Sequence, residues 1–127
     1  MWTEGGEPMK FISTADAPQA LGHYSQAVLS DGLLFVSGQL GIEPEPSSFE
    51  EETRQALANV LAIVGAAGGN AASIVKTTVF LTDIADFSVV NSVYEHLFGS
   101  HKPARAVVEV LSLPKGARIE IEAIARI

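Results

Sequence analysis

The sequence predicts an α+β sandwich in which two helices cover one face of a mixed sheet, in the order β-β-β-α-β-α-β-β. Apolar residues recur at helical spacing in two segments, one after Ser48 and one after Asp86. The other apolar segments are rich in β-branched residues or alternate with polar ones, as strands do. Hydrophobic residues make up 47% of the 127 residues, which is ample for a core.

The N-terminal part predicts three strands, over residues 10–13, 25–30 and 33–38. Asp31-Gly32 lies between the second and the third. Both residues tolerate the positive φ that a tight hairpin turn requires. We therefore expect these two strands to be adjacent and antiparallel.

The first helix should begin at Ser48-Phe49-Glu50-Glu51, which fits a capping box. In that motif the Ser48 side chain caps the first turn and Glu51 reaches back to Ser48. Gly68-Gly69 should end the helix. A strand dense in β-branched residues follows over 73–82, and Asp86 is then expected to cap a second helix that ends at Gly99.

The C-terminal third predicts two strands, over 104–111 and 117–127. In the first, Arg105 and Val107 should point to one face, and Ala106 to the other. In the second, Glu120 and Glu122 alternate with apolar residues. The sheet face without helices therefore mixes apolar and charged side chains, which favours a subunit interface.

Composition excludes several classes of protein. The net charge is −7, and the eight basic residues are scattered, which argues against a nucleic-acid partner. Without cysteine there is no thiolate nucleophile and no cysteine-based zinc site, and the three histidines lack ligand spacing, so we expect no metal. No apolar run could span a bilayer. Residues 1–8 lack the pattern of a signal peptide, so we expect a flexible extension there, a single domain over 9–127 and a cytoplasmic location.

Two charged residues could carry chemistry. Arg105 follows a proline-stiffened loop, and its planar guanidinium suits a carboxylate ligand. An internal salt bridge to Glu109, Glu120 or Glu122 is the alternative. Glu120 could orient or activate a water molecule, or it could be an ion-pair partner on a charged face.

Three further residues have weaker signals. Tyr24 could close a pocket wall with its ring, or it could simply pack. Ser37-Gly38 ends an apolar strand, where backbone groups could face a ligand or the strand could merely bend. Ser37 is not part of a Gly-x-Ser-x-Gly elbow, so the sequence does not support a hydrolase triad.

Taken together, ten segments resemble the Rid family, also called YjgF-like or endoribonuclease L-PSP-like proteins, over residues 11–127. The segments are 17–18 (AP), 22–27 (GHYSQA), 35–39 (FVSGQ), 53–59 (TRQALAN), 74–83 (IVKTTVFLTD), 90–94 (VNSVY), 102–105 (KPAR), 108–110 (VEV), 113–116 (LPKG) and 119–125 (IEIEAIA).

The resemblance implies a chorismate-mutase-like fold and a homotrimer around a central barrel-like core, with ligand pockets between subunits. It implies hydrolytic deamination of enamine/imine metabolites to 2-keto acids and ammonia, as in 2-iminobutanoate/2-iminopropanoate deaminases of the RidA subgroup, with no cofactor. Arg105 matches the position that binds the substrate carboxylate, and Glu120 matches the position that places water. The pocket positions that the resemblance implies are Tyr24, Ser37, Gly38, Asn91 and Val107.

Three positions depart from the family pattern, and two other functions stay open. His23 stands where proline is usual, Ala106 where serine is usual and Val107 where cysteine is frequent, so substrate preference could differ. A non-catalytic trimer that binds 2-keto acids would use the same Arg105. An endoribonuclease or translation inhibitor is the third hypothesis, and the acidic composition speaks against it.

Overall fold

The structure, a computed structural model, describes residues 8–127. The predicted element order is confirmed. The elements are β1 (Lys10–Ile12), β2 (Ala27–Ser30), β3 (Leu33–Leu40), α1 (Phe49–Ala66), β4 (Ile74–Leu81), α2 (Phe87–Phe98), β5 (Ala104–Glu109) and β6 (Ile119–Arg126). The six strands form one sheet in the order β1-β2-β3-β6-β4-β5, and all neighbouring strands are antiparallel except β4 and β5, which are parallel.

The β2–β3 hairpin forms as predicted. Asp31 and Gly32 have φ values of 50° and 80°, in the region that a tight turn of this kind requires. Strand β3 continues past the predicted end to Leu40, and its register against β6 shifts between Val36 and Gln39. This irregularity lies at the Ser37-Gly38 step, so the strand is bent there but not terminated.

Helix α1 begins at the predicted residue, but its capping box is only half formed. The Ser48 side chain accepts a hydrogen bond from Glu51 N at 3.1 Å. Glu51 does not return to Ser48. Its carboxylate accepts from the backbone N–H and the hydroxyl of Ser47, and these bonds hold the Glu51 pKa below its ordinary value. Ser47 offers two donors to the carboxylate, which a return to the Ser48 N–H alone would not.

The cap of α2 also differs from the prediction. Asp86 occupies the N-cap position, but its side chain makes no capping hydrogen bond. Asp83 does so instead, one short turn earlier, and accepts from Ala85 N at 3.0 Å. A 3₁₀ turn over Ile84–Asp86 precedes the helix, so the capping side chain is needed where that turn begins.

The two faces of the sheet differ in what covers them. One face packs against the helices and carries fully buried residues such as Leu34, Val79 and Ile121. On the other face Phe11, Phe35 and Val108 are 69%, 45% and 42% exposed. Within the described part of the chain, no helix covers this open face. An uncovered sheet face that exposes large apolar residues is typical of an interface.

Some expectations concern residues that the structure does not describe. The predicted flexible extension, residues 1–8, lies outside the described residues except for Pro8. None of the helices within residues 8–127 is long and apolar enough to cross a membrane.

Candidate active site

Arg105 lies at the start of β5, one of the two edge strands of the sheet. It pairs in register with Thr77 of β4, which is fully buried beneath the helices. The Arg105 side chain therefore lies on the helix side of the sheet. Its guanidinium carbon is 5.0 Å from the centre of the Tyr94 ring and 5.2 Å from that of the Phe87 ring.

Arg105 forms none of the internal salt bridges that the sequence left open. The two salt bridges among residues 8–127 are Arg54–Glu50 and Arg118–Glu52. Glu120 and Glu122 pair in register with Phe80 and Thr78, so they lie on the open face and not on the helix side. Glu109 shares the helix side with Arg105, but its carboxylate accepts a hydrogen bond from Ile84 N at 2.9 Å.

A cavity of about 650 Å³ opens beside Arg105. Its walls come from one face of α2, which carries both polar and aromatic residues, and from the loop that leads into β5. Asn91 stands one helical turn after Phe87 on that face, as the spacing requires. The other lining residues include Tyr94, Glu95, His101, Lys102 and Pro103.

Glu120 lies beside a different cavity, of about 300 Å³. Tyr24 and Gly38 line this cavity together with Glu120, and Lys115 closes one side. Burial raises the pKa of the Glu120 carboxyl above its ordinary value, and the nearby negative charge of Glu122 raises it further. The carboxylate therefore holds a proton more readily than an exposed glutamate does.

Gly38 makes room for the Glu120 carboxyl. A Cβ atom at Gly38 would lie 2.7 Å from Glu120 Cδ and 2.9 Å from Oε2, which is closer than carbon atoms approach in folded proteins. The Glu120 side chain of β6 can therefore lie directly against the backbone of β3 at Gly38. Any larger residue at position 38 would push the carboxyl away.

Two of the predicted pocket residues lie beside the cavities without lining them. The Ser37 hydroxyl donates to Ser25 O at 2.7 Å, and Ser37 N donates to Gln26 O at 2.9 Å. Val107 packs against the core. In this chain Arg105 and Asn91 therefore lie together, Tyr24, Gly38 and Glu120 lie together, and the two groups occupy separate cavities.

Gln26 supports the second cavity and was missed by sequence reasoning. It is 3% exposed, and its side chain accepts from Thr14 N at 2.7 Å and donates to Pro18 O at 2.8 Å. These bonds hold the loop before Tyr24, part of which lines the cavity. The sequence signal for this role is the glutamine at the start of an apolar strand. A buried amide at such a position needs hydrogen-bond partners from a neighbouring loop.

The geometry does not provide a metal centre among the described residues. No group of three or more His, Asp or Glu side chains between residues 8 and 127 could hold an ion. Among the charged residues of the two cavities, Arg105 has no salt bridge within residues 8–127, and Glu120 has a raised pKa.

The chain is similar in sequence to a known protein family and to named proteins. The family model described as Endoribonuclease L-PSP matches residues 14–127. A bovine (Bos taurus) protein named 2-iminobutanoate/2-iminopropanoate deaminase is 54% identical, over 91% of this chain and 88% of its own.

Two solved structures have the same fold. RidA from an Antarctic Psychrobacter is 43% identical, with a TM-score of 0.88, over 93% of this chain and 99% of its own. TdcF from E. coli, solved with bound serine, is 42% identical, with a TM-score of 0.88, over 93% of this chain and 98% of its own.

Proposed function

The chain belongs to the endoribonuclease L-PSP family, also called the Rid family, and on this basis we propose that it hydrolyses 2-imino acids to 2-keto acids and ammonia. It is thus an imine deaminase, of the type whose bovine relative is named for 2-iminobutanoate and 2-iminopropanoate. The observation that carries the proposal is Arg105. Its charge is unpaired within the described chain, and it lines a cavity large enough for a small carboxylate.

The reaction needs little from the protein. The imine carbon is already electrophilic, so a water molecule can attack it without a covalent enzyme intermediate. A carbon–oxygen bond forms as one water proton passes to the imine nitrogen. The remaining hydroxyl proton also passes to the nitrogen as the carbon–nitrogen bond breaks, so that ammonia leaves and a keto group remains. Arg105 holds the substrate carboxylate by two hydrogen bonds, and this fixes the position of the carbon beside it.

Glu120 is the group that we assign to the water. A carboxylate with a raised pKa is a stronger base than an ordinary glutamate, so it accepts a proton from water more readily. Tyr24 and Gly38 complete the wall around it, and Asn91 faces the Arg105 cavity. Ser37 and Val107 lie outside the cavity linings, so we assign them no direct contact with the substrate.

Arg105 and Glu120 lie on opposite sides of the sheet, so one chain alone does not join them. We propose that a homotrimer does so, with the Arg105 cavity of one copy facing the Glu120 cavity of the next. The exposed apolar residues of the open face support this assembly, because burying them between copies is favourable. We also propose that the protein is cytoplasmic, as expected from its composition.

A ligand-binding role without turnover is the second candidate. The observation that favours it is the TdcF structure, which holds serine, an amino acid with a carboxylate but no imine. The third candidate, RNA cleavage, finds less support, because the chain carries a net charge of −7 and phosphate backbones bind basic surfaces.

Ammonia release separates these candidates. 2-Iminobutanoate is generated in the assay cuvette by a threonine dehydratase, and hydrolysis is followed with and without the protein. We expect a faster release of ammonia and 2-oxobutanoate. Binding of 2-oxobutanoate with no acceleration would leave only the ligand-binding role, and a monomer mass by light scattering at micromolar concentration would contradict the trimer.

A further inference from the structure

We propose that Phe87 and Tyr94 are positioning residues for Arg105, which hold its guanidinium by cation–π contact so that its N–H donors stay free for the substrate. This inference rests on the proposed function, since it takes Arg105 as the residue that binds the substrate carboxylate. The two aromatic residues are assigned no contact with the reacting carbon or with the water. Their effect on the reaction passes through Arg105.

The geometry of the rings supports this role. The guanidinium carbon lies 5.2 Å from the Phe87 ring centre and 5.0 Å from the Tyr94 ring centre, within the ~6 Å over which a ring face attracts a cation. Phe87, Asn91 and Tyr94 recur at i, i+4 and i+7, so one face of α2 presents both rings. Two rings close to one cation restrict where its planar group can lie.

The rings are themselves tied to the strands beside Arg105. The Tyr94 hydroxyl donates to Thr77 Oγ1 at 2.8 Å, and Thr77 is the residue of β4 that pairs with Arg105. The start of α2 is tied to β5 as well, because Ile84 N donates to Glu109 on the same face of that strand. Hydrogen bonds thus connect the helix face to the strands at Tyr94 and the turn before Phe87 to β5.

A cation–π contact suits this position better than a salt bridge would. A carboxylate partner would occupy the guanidinium N–H groups and would compete with the substrate for them. A ring face attracts the charge without accepting those hydrogen bonds in the plane of the guanidinium. Exposure also points to a role outside the core, since Phe87 is 40% exposed although it is a large aromatic residue.

The test uses Phe87, because its ring is partly exposed, whereas Tyr94 is buried and hydrogen-bonded to Thr77. In Phe87→Leu we expect the Kd for 2-oxobutanoate and the KM for the imine to rise about 3- to 10-fold, while kcat changes less than about twofold and the melting temperature is kept. Phe87→Trp, which restores a ring face, should bring both constants back to within about twofold of the wild type.

Phe49→Leu is the matched control. Phe49 begins α1 as Phe87 begins α2, and it also lies under an arginine, with its ring centre 5.6 Å from the guanidinium carbon of Arg118. Here we expect unchanged Kd and KM. Arg105→Ala is measured in parallel and should abolish 2-oxobutanoate binding.

The results would overturn the inference in two ways. Wild-type Kd and KM in Phe87→Leu, with binding lost in Arg105→Ala, would show that Arg105 needs no ring to hold it. Equal losses in Phe87→Leu and Phe87→Trp would show that bulk and not the ring face matters. Failure of the wild-type protein to accelerate imine hydrolysis would count against the proposed function alone. The Kd for 2-oxobutanoate would still show whether the rings affect ligand binding by Arg105.

Discussion

Arg118 and Arg105 each lie over the phenylalanine that begins a helix, yet their charges are balanced differently. Arg118 donates from Nε to Glu52 Oε1 at 2.8 Å and from its backbone N–H to Oε2 at 2.7 Å, and Glu52 is 2% exposed. Arg105 has no carboxylate partner among residues 8–127. The first arginine is satisfied inside the chain, whereas the second has aromatic neighbours and an open cavity.

Glu52 and Glu120 show the same contrast among the acids. Glu52 forms a salt bridge with Arg118, whereas the Glu120 carboxyl packs against Gly38, which has no side chain, and has a raised pKa. A charge that is paired within the chain stabilises the fold, and a charge that is left unpaired is available to a ligand. The following changes test whether the chain divides its charges in this way.

Substitution of Arg105 should have the largest effect. Lysine keeps the charge but cannot make two parallel hydrogen bonds to a carboxylate, so we expect kcat/KM of Arg105→Lys to fall roughly ten- to a hundred-fold. Arg105→Ala should lose more, together with binding of 2-oxobutanoate, and both variants should melt within a few degrees of the wild type. Near-normal deamination by both folded variants would remove the distinction between the two arginines.

Gly38→Ala should come next. The added Cβ would displace the Glu120 carboxyl, and a catalytic group moved by about 1 Å can cost up to ~100-fold in rate. We expect kcat to fall at least about tenfold while the Kd for 2-oxobutanoate changes less than about threefold. Glu120→Gln should behave alike, because the amide keeps the shape but not the base.

Gly65→Ala is the matched control for Gly38→Ala. A Cβ at Gly65 would meet nothing within 4 Å, and the residue lies in the last turns of α1. Replacement of a helical glycine by alanine should raise stability by up to about 1 kcal/mol without affecting turnover. Equal kinetic losses in both variants would mean that Gly38 does not act through Glu120.

Glu52→Gln should affect stability and leave the chemistry intact. The amide keeps one acceptor but loses the charge that faces Arg118, which is about half exposed. We expect the free energy of unfolding to fall by about 1–2 kcal/mol, measured by urea denaturation, with kcat/KM unchanged for the folded protein. A loss of activity without a loss of stability would reverse the roles assigned to Glu52 and Glu120.

Glu122→Gln should give the smallest effect, a shift in pH dependence. Glu122 is the like charge that helps to raise the Glu120 pKa, so its removal favours the ionised form and lowers that pKa. If the Glu120 carboxylate is the base, kcat/KM falls as pH drops through its pKa. The acidic limb of the profile should therefore move to lower pH, while burial still keeps the Glu120 pKa raised. A shift to higher pH would contradict the assignment of the base.

Much of the fold could be predicted because local patterns agree with it. The Asp31-Gly32 turn, the Ser48 cap and the alternation along β6 each depend on neighbours within a few residues. Two predicted caps were wrong. Glu51 bonds to Ser47, one residue before the predicted partner Ser48, and Asp83, one short turn before Asp86, provides the capping side chain ahead of α2.

The candidate site was harder to predict, because it depends on contacts across the sheet. The alternation in β5 predicted that Arg105 and Val107 share a face, but the expectation that this face is the helix-free one was wrong. Which face Arg105 occupies depends on the order and register of β4, β5 and β6. The closeness of Gly38 to Glu120 follows from an irregularity in the β3–β6 register, which no local pattern reveals.

The separation of Arg105 and Glu120 into two cavities has a genetic consequence. If each working site takes its arginine from one copy and its glutamate from the next, two inactive alleles can complement each other. A protein reassembled from equal amounts of Arg105→Ala and Glu120→Gln subunits should recover intact sites at about one quarter of its interfaces, if subunits mix at random. Conversely, a chain that carries both Arg105→Ala and Glu120→Gln should inactivate the sites that it shares with wild-type chains, in proportion to its amount. An allele that encodes this chain would be partially dominant.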